Sequence, residues 1–183
     1  MHIEVFIKEK LNPIHRLWYS IWVYWWPVWR GLYSGKNIRS KWFKFNLIKE
    51  GQYLLDFGCG TGDFAIPAAK IVGSNGKIFA LDCNMRQLQV VQKKAREAGL
   101  TNIQTILSEN KTNLPDGIMD VIWICDVLHE IREKQEVLSE FYRLLKAGGT
   151  LLIYDGMKEK ALTHLNGLFR LEIMDGKLLK LVK

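Results

Sequence analysis

Tyr53-Leu54-Leu55-Asp56-Phe57-Gly58-Cys59-Gly60-Thr61-Gly62-Asp63-Phe64 reads as a buried strand running straight into a glycine loop. Residues 53–57 form a short apolar run interrupted by one acid, the pattern of a strand in a parallel sheet covered on both faces. Gly58, Gly60 and Gly62 follow at alternate positions, and the Ala- and Ile-rich run from Asp63 to Val72 predicts a helix. The loop therefore lies at a helix N-terminus, where unpaired N–H groups face a ligand. Glycines there let the backbone turn tightly and approach that ligand closely.

The glycine spacing selects the ligand. A dinucleotide site uses G-x-G-x-x-G, whose third glycine would fall at position 63, and here that residue is Asp63. A carboxylate at that point repels a pyrophosphate. The form found, G-x-G-x-G after an acidic strand end, resembles the S-adenosylmethionine site of class I methyltransferases. That cofactor carries no phosphate but has a cationic amine and a cationic sulfonium, which tolerate an acidic neighbour.

Downstream, strand and helix patterns alternate. Lys77–Leu81 predicts a second strand with Asp82 at its tip, and Met85–Ala98 a surface helix with Met85, Leu88, Val91, Ala95 and Ala98 on its apolar stripe, ended by Gly99. Asn102–Leu107 predicts a third strand, followed by the loop Ser108–Gly117, and Met119–Cys125 a fourth. A helix is expected over Lys134–Lys146, closed by a turn at Ala147-Gly148-Gly149, and then a strand over Thr150–Tyr154. Leu168–Met174 and Lys177–Val182 flank Asp175-Gly176, a hairpin signal. The methyltransferase resemblance covers residues 50 to 155 and rests on several elements in the right order. It implies an α/β fold: a doubly wound, Rossmann-like, mostly parallel seven-stranded sheet with a C-terminal antiparallel hairpin.

The same resemblance assigns roles. Gly58, Cys59, Gly60 and Gly62 would hold the aminocarboxypropyl end and ribose of S-adenosylmethionine, with Asp56 on the amine side. Asp82, with Cys83 beside it, would take the ribose, since an acid at the tip of the second strand accepts hydrogen bonds from both ribose hydroxyls. Ser108, Glu109 or Asn110 would meet the adenine amino group, and Asp126 completes the cofactor set. A helix cap or turn at Asp82 and a solvated loop acid at Glu109 are the plainer alternatives.

The segment after the fourth strand, Asp126-Val127-Leu128-His129-Glu130, is where the acceptor should meet the methyl group. It lacks the paired prolines that the family uses for exocyclic amines and amides, and Cys125 is not in the Pro-Cys context of pyrimidine-carbon methylation. His129, read as the start of a helix, is the candidate base, because an imidazole takes up a proton near neutral pH. Its alternative is a cap or packed residue. Glu130 would orient it or favour the helix N-terminus.

Upstream of the glycine loop, Ile38–Glu50 reads as a helix ended by Gly51. Residues 1–50 are expected to form a Trp-rich helical segment and 51–183 the cofactor-binding domain. From Leu17 to Trp29 the chain is apolar except for Ser20, too short to span a bilayer and interrupted by Pro27. Trp18, Trp22 and Trp25 recur at helical spacing, and basic residues follow at Arg30, Lys36, Arg39, Lys41 and Lys44. A helix packed on the domain, a lid over the substrate and a membrane-surface anchor all fit this pattern.

With 183 residues, 48% of them hydrophobic, the chain can bury a sizeable core in one domain. A net charge of +7 favours an anionic partner without choosing among nucleic acid, membrane and acidic substrate. Cys59, Cys83 and Cys125 share no metal-ligand spacing, so no metal is expected, and their odd number suits a reducing cytosol. The charged start MHIEVFIKEK does not read as a signal peptide. The expected activity is methyl transfer from S-adenosylmethionine to an apolar small-molecule or lipid-like acceptor, giving S-adenosylhomocysteine, in the cytoplasm or peripherally at a membrane. An RNA methyltransferase or RNA-binding protein, and a non-catalytic S-adenosylmethionine-binding module, are the competing readings.

Overall fold

Seven strands form one sheet, in the spatial order 103–107, 77–82, 53–57, 119–125, 145–154, 178–182 and 170–175. The structure, a computed structural model, describes residues 47–156, 167–176 and 178–183. Its strands are β1 (Tyr53–Phe57), β2 (Lys77–Asp82), β3 (Ile103–Leu107), β4 (Met119–Cys125), β5 (Leu145–Tyr154), β6 (Arg170–Asp175) and β7 (Leu178–Val182). The helices among the described residues are α1 (Ala65–Val72), α2 (Met85–Glu97) and α3 (Lys134–Leu144). β1 to β5 pair in parallel, and β7 joins β5 antiparallel with β6 outside it, which is the expected doubly wound sheet closed by a hairpin. Trp18, Trp22, Trp25, the rest of the expected N-terminal helical segment up to residue 46, and residues 157–166 lie outside the described residues.

Alternation along the strands sorts two buried faces, as the period of a pleated strand requires. Leu55, Phe57, Phe79, Leu81, Ile122, Ile124, Leu151 and Ile153 belong to one core with Val137, Leu138, Phe141 and Leu144 of α3. Phe57 and Phe141 meet edge to face there at 5.0 Å. The intervening positions Leu54, Ile78 and Ala80 are equally buried, as are Ala65, Ala68, Ala69 and Val72 of α1. Phe64 stacks on Trp123 at 4.8 Å.

Several elements differ from the expectation. α1 becomes regular at Ala65 rather than Asp63, although Ile66 N–H already bonds Gly62 C=O at 3.0 Å, so the helical turn begins directly after the last loop glycine. Residues 47–49 carry no regular structure and 50–51 form a turn, so the expected helix does not extend to Glu50. Gly51 N–H instead reaches Val72 C=O at the end of α1, 2.8 Å away. On α2 only Leu88, Val91 and Ala95 are buried, while Met85 and Ala98 at its ends are exposed. α3 stops at Leu144 because Leu145 turns extended and enters β5 opposite Met119. The register then jumps from Met119↔Leu145 to Val121↔Thr150, so the expected turn at Lys146–Gly149 is a bulge inside a strand that starts at Leu145. A Cβ on Gly149 would lie 2.9 Å from Lys146 O and 3.1 Å from Met119 O, which is why the bulge needs glycine.

The loop after β3 is anchored from α3. Arg143 grips Glu140 through Nε–Oε2 and Nη2–Oε1 bonds, both 2.8 Å, donates to Leu114 C=O and pairs with Asp116. Thr112 Oγ1, itself buried, donates to Glu140 Oε1 at 2.7 Å. The Arg143 and Thr112 bonds hold the Glu140 carboxyl below its ordinary range. A carboxyl lowered on folding stabilises the fold above its unfolded pKa, near 4.3, and loses that contribution as pH falls through the folded value. Glu140→Gln is therefore expected to reduce stability by about 1 kcal/mol at pH 7 and by progressively less in acid. Urea unfolding of both proteins at pH 7 and pH 3 checks it, and an equal difference at the two pH values would contradict it.

Candidate active site

The strand order reverses at β1, which has β2 on one side and β4 on the other, and the carboxyl ends of those strands open the crevice where α/β sheets bind ligands. Asp56, Gly58, Cys59, Gly60, Asp82, Cys83, Glu109, Asn110, Asp126 and His129 all lie at or just beyond the carboxyl ends of β1, β2, β3 and β4.

The three loop glycines answer to three different constraints, although all have positive φ. A Cβ on Gly58 would fall 2.4 Å from Val127 Cγ2, so this glycine lets the segment after β4 press against the loop. A Cβ on Gly62 would come within 3.0 Å of Val91 Cγ2, so this one lets the loop settle on α2. At Gly60 a Cβ would meet nothing within 4 Å, and this glycine faces open space. Cys59 is buried beneath the loop, where burial first and then the Asp56 and Asp82 carboxylates push its thiol far up, so it packs as a neutral group.

Asp82 binds the loop to the turn after β2. Its Oδ2 accepts from Gly60 N–H at 2.9 Å and its Oδ1 from Asn84 N–H at 2.8 Å. Asn84, not Asp82, caps α2, with its side chain accepting from Arg86 N–H. A carboxylate offers about four acceptor positions, so Asp82 keeps about two for a ligand. Ser108 N–H reaches Asp82 C=O at 3.2 Å, which brings the loop bearing exposed Glu109 and half-buried Asn110 alongside. Asp63, across the loop, is engaged by Lys94 Nζ at 3.3 Å, and the same ammonium donates to Thr61 C=O at 2.8 Å. Asp56 lies at the end of β1, 2% exposed, between Ala80 and Trp123 of the adjacent strands.

His129 does not begin a helix. Residues 128–130 form a turn and α3 starts only at Lys134, so Glu130 stands clear of that helix N-terminus. The turn is reached through Asp126, whose φ of 50° is unusual for a residue with a side chain and whose N–H bonds Tyr154 C=O at 2.8 Å. Burial, and then the Asp126 carboxylate, push the Tyr154 hydroxyl up, which keeps it protonated at neutral pH.

The sequence reading missed Asp155. It directly follows β5, is 1% exposed, and its Oδ2 accepts the His129 backbone N–H at 3.2 Å and faces ring Nδ1 at 3.0 Å. Its signal was present: β2, β4 and β5 end Leu81-Asp82, Cys125-Asp126 and Tyr154-Asp155, the same apolar strand closing on an acid. Val127 was missed too, being one more apolar residue in a loop until its contact with Gly58 is seen.

The profile of the methyltransferase-domain family matches residues 48–176, well over half the chain. The chain belongs to that family. This methyltransferase domain is 30% identical over 157 residues to the ubiquinone/menaquinone biosynthesis C-methyltransferase UbiE of Vibrio vulnificus, a match covering 82% of this chain and 60% of that protein. It is 35% identical over 119 residues to the demethylmenaquinone methyltransferase of Lactobacillus johnsonii, covering 64% of this chain and 49% of the other. The chain thus spans about half to three-fifths of the length of these relatives. Among solved structures, an S-adenosylmethionine-dependent methyltransferase from Aquifex aeolicus superposes with a TM-score of 0.65 at 25% identity, covering 85% of this chain and 91% of that one.

S-adenosylmethionine is the cofactor of this methyltransferase domain, and the residues present fit it. Gly60 leaves open space beside the loop, and Asp82 retains acceptor positions suited to a pair of hydroxyls. Among the described residues no helix is long and apolar enough to cross a membrane.

Proposed function

We propose that the protein methylates an apolar, lipid-like small molecule whose reacting group is an ionisable ring hydroxyl or the carbon conjugated with it. The observation that carries this reading is His129, which stands at the acceptor side of the crevice with 39% of its side chain exposed and one ring nitrogen already engaged by a buried carboxylate. That is the arrangement of a group that removes a proton from something brought to it. The relatives named for quinone biosynthesis support a ring acceptor of this kind. The net charge of +7 is the feature that would favour a nucleic-acid acceptor instead.

In this reading Asp82 receives the ribose hydroxyls, the open face at Gly60 admits the cofactor's aminocarboxypropyl end, and Asp56 and Asp126 lie on its cationic side. Glu109 or Asn110 meets the adenine amino group. When bound, S-adenosylmethionine supplies a methyl carbon already activated by the sulfonium. The protein's own work is then to align the acceptor, exclude water and take up one proton at His129. The apolar, Trp-rich composition of residues 17–29, with Trp18, Trp22 and Trp25 among them, suits a lipid-like acceptor.

Calorimetric titration with S-adenosylmethionine, S-adenosylhomocysteine and NAD, followed by transfer of labelled methyl to reduced demethylmenaquinone in detergent, tests this. Binding of both adenosyl ligands but not NAD, with label in the quinol, is the expected result. Adenosyl binding with label only in added RNA would overturn the acceptor, and no adenosyl binding by folded protein would overturn the whole reading.

A further inference from the structure

We propose that Asp155 is the positioning residue of a carboxylate–imidazole dyad, fixing His129 as the Nδ1–H tautomer so that Nε2 is the atom that accepts the acceptor's proton. The inference rests on the methyl-transfer reading above and adds to it a residue and a microscopic proton position.

The geometry calls for a proton on Nδ1. Asp155 Oδ2 faces two nitrogens at once, the His129 backbone N at 3.2 Å and ring Nδ1 at 3.0 Å. The backbone nitrogen can only donate, which marks that oxygen as an acceptor, and a carboxylate oxygen next to a ring nitrogen is satisfied by an N–H there. A proton on Nδ1 leaves the Nε2 lone pair free. The anchor is rigid: Asp155 is 1% exposed at the end of a central strand, and the chain carrying His129 is held on one side by Asp126 N–H to Tyr154 C=O and on the other by Val127 against Gly58. Among the described residues, the other carboxylate facing the ring is Glu130, whose Oε1 lies 3.7 Å from Nε2 and whose side chain is 69% exposed. Among the described residues, Cys125, Asp126 and the raised Tyr154 hydroxyl are the further ionisable groups on the flanking strand ends.

The proton balance follows. The acceptor's O–H bond breaks and its proton forms an N–H bond at Nε2. The electron pair left on the acceptor forms the new bond to the methyl carbon as the methyl–sulfonium bond breaks, that bond's electron pair leaving on sulfur. Where the ring carbon is the one methylated, its C–H proton is then lost to restore the ring. The imidazolium so formed is stabilised by the Asp155 carboxylate. Such a dyad serves acceptors that carry a removable proton.

Asp155→Asn isolates the charge. Because the backbone N–H and the ring share one oxygen, the carboxamide oxygen must occupy that place, and the tautomer is retained while the negative charge is lost. The first readout is the 15N spectrum of the unsubstituted full chain, with His129→Gln assigning its signal among the four histidines. The Nδ1–H tautomer is expected, and an Nε2–H tautomer would overturn the proposal whether or not any variant folds. In Asp155→Asn, kcat with the quinol is expected to fall about 10- to 100-fold, with KM for the quinol and S-adenosylmethionine affinity unchanged. A variant that only melts earlier, with wild-type kcat below its melting range, would show a structural role and refute positioning. Loss of adenosyl binding in the unsubstituted protein would instead refute the underlying reading.

Discussion

Asp82→Ala should lose about 100-fold in affinity for S-adenosylmethionine, equivalent to about 2.7 kcal/mol. Hydrogen bonds to a charged group contribute about 1.5–3 kcal/mol each, and Asp82 has about two acceptor positions left for a ligand. The full sum is not reached, because water replaces part of the lost interaction. The substitution also frees Gly60 N–H and Asn84 N–H, which the carboxylate now holds at 2.9 and 2.8 Å, so the loop loses its tie to the turn after β2. Asp82→Asn offers little rescue. Its two oxygens serve two different backbone donors, and in either orientation a carboxamide turns its NH2 toward one of them. Calorimetric titration of both variants decides the matter: wild-type affinity in Asp82→Asn would show that the ligand does not depend on a charged acceptor here. The contrast with Asp155, where both donors share one oxygen, makes the two aspartates respond differently to the same substitution.

His129→Ala should lower kcat by about 10²- to 10⁴-fold, the range for removing a positioned base. The effect belongs in kcat, with S-adenosylmethionine binding retained, because the imidazole lies after β4 while the glycine loop and Asp82 lie after β1 and β2. Folding should survive, since the side chain is 39% exposed and its backbone bond to Asp155 is unaffected by truncation. Raising the pH should partly restore the rate of the variant, as more acceptor ionises without help. A variant with wild-type kcat at neutral pH would remove His129 from the chemistry and leave alignment and desolvation as the protein's contribution.

The parallel sheet was legible because it is covered on both faces, so β1, β2 and β4 appear as short, mostly apolar runs, and because β2 and β4 close on an acid where the chain leaves the core while β1 runs into the glycine loop. Strand ends and the glycine loop therefore located the crevice before any geometry was available. Readings that depended on what packs against what were harder. Lys-Ala-Gly-Gly has the composition of a helix-ending turn, and only the pairing of Leu145 with Met119 shows it as a bulge within β5. A helical stripe identifies a face but not how far the core extends along it, which is why Met85 and Ala98 were included and lie exposed. Gly58, Gly60 and Gly62 looked equivalent, and their differing neighbours separate them. Asp155 required knowing that β5 lies beside β4, a pairing between residues about thirty positions apart.

The contact between Gly58 and Val127 bears on how this scaffold can be redesigned. Altering acceptor preference by grafting a foreign segment over residues 126–131 would treat that segment as an independent cassette. Any wider residue at 127 would press on the backbone at Gly58, where even an added Cβ would fall 2.4 Å from Val127 Cγ2, and would shift the loop on which the cofactor rests. Selection for a new acceptor would thus drag cofactor affinity with it. Libraries that hold the volume at 127 constant, and diversify around it, are the ones in which the two properties can be tuned separately.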